Sequence, residues 1–75
     1  MNLTRQARAC LIEDYKRALG KVNQAAHDLE DASVFVDAAG PGFTRSSVAL
    51  IEQLNTVYLD INEVVQRLRE VPTDD

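Results

Sequence analysis

His27, Asp28, Glu30 and Asp31 come closer than any other residues in this chain to a cluster that does chemistry. His27 and Asp31 are four apart, so on a helix they share a face and offer a nitrogen and a carboxylate to one transition-metal ion. The dimetal helical bundles that use such pairs need an inward-facing Glu-x-x-His on facing helices. Here the order of acid and histidine is reversed, and the chain has one histidine in all, so a hydrogen bond on a solvated face is the better account. Asp60 and Glu63 share a face too, but no companion acid or nucleophile accompanies them. Cys10 has no histidine within sequence reach to activate it as a thiolate. Gly40-Pro41-Gly42 follows no strand and lacks the Lys-Ser/Thr of a phosphate-binding loop. The expectation is a protein without catalytic residues, metal or cofactor, and therefore not an enzyme.

The elements around these residues are easier to read. Leu11, Tyr15, Ala18, Val22, Ala25, Leu29 and Ala32 recur at alternating steps of four and three, and Ser47, Leu50, Leu54, Val57, Ile61, Val64, Leu68 and Val71 repeat the rhythm. Each is the apolar seam of an amphipathic helix. Written as heptads, Tyr15, Val22, Leu29, Ser47, Leu54 and Ile61 fall at a, and the alanines fall at d with Leu50, Val57 and Val64. A third apolar column lies at e: Ile12, Leu19 and Ala26 on the first helix, Ile51, Tyr58 and Val65 on the second. The expected fold is all-α, an antiparallel hairpin of two long helices forming a single domain over residues 1–75. Small d alanines are expected to face the larger d residues across it.

Local signals set the expected boundaries. Asn2 and Thr4 are acceptable caps, so helix one spans about 3–32. Ending it at Ala39, with Gly40 as a left-handed C-cap, is the competing possibility. The Gly/Pro turn is expected at 40–43, with Val34, Phe35 and Val36 in an irregular or short helical segment before it. Thr44 as N-cap, with Phe43 and Val48 as a hydrophobic staple, starts helix two near 45. Pro72 ends it near 70 and leaves a frayed tail at 71–75.

A chain of 75 residues buries too little surface to be comfortable as a lone hairpin. One cysteine allows no internal disulfide, so the missing core must come from assembly. An a/d/e face is wide enough to touch two neighbours, which suggests a homodimeric four-helix bundle. Ile12, Leu19, Ile51, Tyr58 and Val65 are the expected dimer interface. Val34, Phe35, Val36 and Phe43 concentrate apolar groups at the turn, either plugging the end of the bundle or meeting a partner.

Charge adds less. The net is −4, divided as +3 over the first 21 residues and −7 over the rest. Arg5, Arg8, Lys16, Arg17 and Lys21 carry the alternative reading as a nucleic-acid-associated bundle, but helical spacing spreads them and the overall acidity opposes phosphate. Glu13–Arg17 and Glu63–Arg67 have the favourable i,i+4 order. No signal peptide or membrane-length apolar run is present, so no membrane partner is expected, and a single cysteine suits a reducing cytoplasm. The leading expectation is a small module binding other proteins and itself, as an adaptor, regulatory inhibitor or assembly factor. A chaperone or secretion-type hairpin that folds with a partner chain is the other alternative. In architecture alone the expectation resembles the small dimeric hairpin bundles that regulate plasmid copy number. Secreted hairpins of similar size carry a Trp-x-Gly turn, and Gly40-Pro41-Gly42-Phe43 stands in its place here.

Overall fold

The computed structural model describes residues 3–74, with Asp37 described by its backbone alone. Two helices account for nearly all of it: α1 (Arg5–Val36) and α2 (Pro41–Glu70), separated by one turn of 3-10 helix (Asp37–Ala39) and Gly40. They pack against each other along their length as a hairpin, an all-helical rod of 57 × 14 × 14 Å. Its Cα radius of gyration is 17.3 Å, against roughly 11 Å for a globular domain of this length.

Thr4 starts α1 as expected of a cap: its Oγ1 accepts from the Ala7 amide at 3.0 Å and its carbonyl from the Arg8 amide at 3.0 Å. Asn2, the other candidate, lies outside the described residues. The preferred ending near Ala32 needs correction, because α1 continues through Val34 and Phe35 to Val36. Ser33 weakens the apolar stripe without stopping the helix. Its hydroxyl donates back to the Glu30 carbonyl at 2.6 Å, a local bond that satisfies the serine within the helix at small cost. No Gly or Pro intervenes before residue 40.

The start of helix two is corrected as well, from about 45 to Pro41. Proline suits the first helical position, where its fixed φ is already helical and its missing N–H would have found no partner. Thr44 therefore sits inside the first turns of α2, and Phe43 and Val48 do not form a staple across the helix start. The whole reversal rests on Gly40, at φ 129° and ψ 161°, a region open essentially to glycine alone. Its carbonyl accepts from the Phe43 amide at 3.1 Å.

At the other end α2 stops at Glu70, and Val71 turns extended at φ −69° and ψ 126°, as a residue before proline must. The tail expected to fray is instead tied down as far as Asp74. Leu3 pairs with Thr73 in an isolated bridge, and the Asp74 amide donates to the Leu3 carbonyl at 3.0 Å. Arg8 adds a 2.7 Å hydrogen bond from Nη1 to the Val71 carbonyl. Asp75 lies outside the described residues.

The centre of the hairpin differs in register from the a/d expectation. Val65, at e, is 3% exposed and Ser47, at a, is 8% exposed. Ile51, Leu54 and Ile61 are half-buried beside them, whereas Leu50 and Val57, at d, stay open. On α2 the helices meet through columns a and e, and d is left on the flank. No fully buried side-chain nitrogen or oxygen among the described residues lacks a hydrogen-bond partner. With this reversal, Gly40→Ala should lower the unfolding free energy by about 1–3 kcal/mol, although a Cβ there meets nothing nearer than Phe43 Cδ2 at 4.0 Å. Gly20→Ala, in the interior of α1 with open space around it, should raise it by about 1 kcal/mol. Urea denaturation of the two variants measures both signs.

Candidate functional site

The potential metal cluster does not form. His27 Nδ1 lies 3.7 Å from Glu30 Oε2, one turn away rather than at Asp31, with both side chains more than half exposed. Asp28 is engaged elsewhere, accepting from Gln24 Nε2 at 3.0 Å. Among the described residues no three His, Cys, Asp or Glu side chains are grouped to hold a metal ion. Cys10 is exposed.

The basic residues of α1 are not gathered into one patch. Arg8 is held at the Val71 carbonyl, Lys16 Nζ lies 3.6 Å from Glu13, and Arg17 donates to Asp14 at 3.2 Å. The expected Glu13–Arg17 pair is thus replaced by two i,i+3 pairs, while Glu63–Arg67 forms at 2.8 Å. Exposed pairs of this kind contribute at most about 1 kcal/mol each. Arg5 and Lys21 are exposed, and helical spacing turns the five in different directions.

Between the helices lies one cleft of note, lined by Val22, Asn23, Ala26, Leu54, Asn55 and Tyr58, with a volume of about 150 Å³. A ligand pocket usually measures about 300–1,000 Å³. The cleft is chiefly informative about the two flanks of the hairpin. Asn23 and Asn55 each follow an a residue, and they meet on the same side. Along that side the residues after each a position are Lys16, Asn23 and Glu30 on α1 and Val48, Asn55 and Asn62 on α2, a mostly polar flank.

The opposite flank carries the d column. From α1 it takes Leu11, Ala18, Ala25 and Ala32, and from α2 Phe43, Leu50, Val57 and Val64. Every one is apolar. Phe43 is 59% exposed, Leu50 48% and Val57 43%. The residues expected to form a dimer interface lie elsewhere: Ile12, Leu19 and Ile51 are half-buried, Tyr58 lines the cleft, and Val65 is the most deeply buried hydrophobic side chain among the described residues. Ile12, Leu19, Ile51 and Val65 belong to the hairpin's own seam, whereas Tyr58 stays open to solvent at the cleft's edge. Tyr15, Val48 and Leu59 are also open to solvent. Leu59 escaped attention because it falls outside every heptad column.

Within the single hairpin the turn-end residues divide between the seam and the surface. Val36 turns toward the seam and is half-buried, but Val34 and Phe35 are 71% and 78% exposed. Consecutive helical residues point about 100° apart, so Val34 faces outward on the polar flank and Phe35 beside the apolar one. No protein-family model, no curated protein and no solved structure matches the chain. If Val34 and Phe35 are held by nothing within the fold, Val34→Gln and Phe35→Gln should each change the unfolding free energy by no more than about 0.5 kcal/mol. Urea denaturation that shows a loss of about 2 kcal/mol or more would restore them to a packing role.

Proposed function

We propose that this hairpin is a non-catalytic protein–protein interaction module that joins a second copy in a homodimeric four-helix bundle. It would serve as an adaptor, regulatory inhibitor or assembly factor by presenting helical surface. The observation that carries this reading is the imbalance between buried and exposed apolar groups. Val65 is the one buried hydrophobic residue among those described, while nine large hydrophobic side chains are open to solvent. Monomers bury their large apolar groups or gather them into functional patches, and a two-helix hairpin has no second layer in which to bury them.

Val34 and Phe35 at the tip are the proposed contact for a different protein. The nucleic-acid reading draws less support, because Arg8, Lys16 and Arg17 are engaged within the fold. No described helix is long and apolar enough to cross a membrane, and an exposed single cysteine suits the reducing cytoplasm proposed as its location. Light scattering across a concentration series tests the assembly. A mass of twice 8.3 kDa, constant on dilution through the micromolar range, is the expected result. A stable monomer of 8.3 kDa would end the homodimer reading.

A further inference from the structure

We infer that the second copy docks on the d-column flank, with α1 of each hairpin lying against α2 of the other and the two turns at the same end. The inference rests on the self-association proposed above and specifies its face and orientation. Three observations carry it.

The first is area. The chain exposes 5732 Å², whereas a folded monomer of 8.3 kDa exposes about 4,600 Å². The surplus is on the order of 1,100 Å², enough for a standard interface, which removes about 800 Å² from each partner. A partner covering one flank of the rod would remove that surplus.

The second is self-complementarity. The flank holds a small column, Ala18, Ala25 and Ala32, beside a large one, Leu50, Val57 and Val64. Arg8 meets Val71, and Val22 and Ala26 share a cleft with Leu54 and Tyr58. Facing residues on the two helices therefore have numbers that sum to about 80. A two-fold axis along the rod preserves these heights. It sets Ala18 between Val57 and Val64 of the second copy, and Ala25 between its Leu50 and Val57. Small groups receive large ones at both halves of an isologous contact.

The third is charge at the rim. The residues preceding each a position border this flank: Asp14, Lys21 and Asp28 on α1, Gln53, Asp60 and Arg67 on α2. In the same arrangement Lys21 falls opposite Asp60 of the second copy, and Asp14 opposite its Arg67, each of the latter two already paired within its own helix, with Arg17 and Glu63. With the axis across the middle of the rod instead, α1 faces its own copy, Lys21 meets Lys21 and Asp14 meets Asp28. Like charges there select the first arrangement.

The test combines mass and cross-linking, each protein being checked for helicity by circular dichroism. Leu50→Lys and Val57→Asp should each weaken dimerisation by roughly a hundredfold or more. Leu59→Lys and Val48→Asp, on the other flank, should leave the dimer mass unchanged. A second readout needs no disruption. In a Cys10→Ser background, chains carrying Lys21→Cys are mixed with chains carrying Asp60→Cys and mildly oxidised. A disulfide joining one chain of each kind is expected. A preferential disulfide between two Lys21→Cys chains would overturn the orientation. A dimer broken by Leu59→Lys and not by Leu50→Lys would overturn the face while leaving self-association intact. A monomeric unsubstituted chain would overturn the self-association reading and this inference together.

Discussion

Two helices joined by one short connection can bury only the stripe that each presents to the other, and much else in this molecule follows from that limit. A stripe facing one neighbour accommodates two columns of side chains. The sequence supplies three on each helix. Columns a and e occupy the contact on α2, where Val65 and Ser47 are buried, and d is left outside with Leu50 and Val57 in solvent. The hairpin is thus complete as a connection and incomplete as a core. Its apolar d flank and its elongated shape are two aspects of the same deficit.

The fold class was legible because heptad periodicity over 30 or so residues per helix has few other physical meanings. The pairing register was not, and the reason lies in the pattern itself. Columns a, d and e contain two overlapping seams, a with d and a with e, both spaced by threes and fours. Leu50-Leu54-Val57-Ile61 and Ile51-Leu54-Tyr58-Ile61 look alike as sequence. Periodicity says that one helix is wanted on each side of column a. It does not say which of the two is the chain's own. The width of the apolar face was therefore readable, while the assignment of Val65 to the outside and Val57 to the inside was reversed.

The turn shows a different limit. Gly40-Pro41-Gly42 was read as a loop because each residue breaks helices in isolation, yet only Gly40 acts as the break. Pro41 begins the next helix from the single position where its ring and missing amide cost nothing. Ser33 weakens the stripe but does not end α1, because its hydroxyl bonds back to the Glu30 carbonyl and is accommodated inside the helix at small cost. The tail was misjudged because its anchors are long-range: Leu3 and Arg8 reach residues about 70 and 63 positions away, and no local signal announces them.

The placement of the polar residues bears on function through what it does not assemble. His27 and Cys10 lie on exposed helix surface, Cys10 beside Glu13 and Asp14 in a shallow depression of α1. Catalysis and tight ligand binding draw on convergence of groups within a concavity, and two concavities among the described residues, the 150 Å³ cleft at Asn23 and Asn55 and an open 250 Å³ depression beside Cys10, Glu13 and Arg17, are both smaller than a usual ligand pocket. Such a rod has length and side-chain pattern instead, which are the properties that helix-to-helix recognition uses. Its polar flank carries Asn23, Asn55 and Asn62 beside the exposed Val48 and Leu59, where its apolar flank carries alanine, leucine and valine. In the proposed dimer that asymmetry would have a use, because the flank left uncovered must keep the assembly from adding further copies.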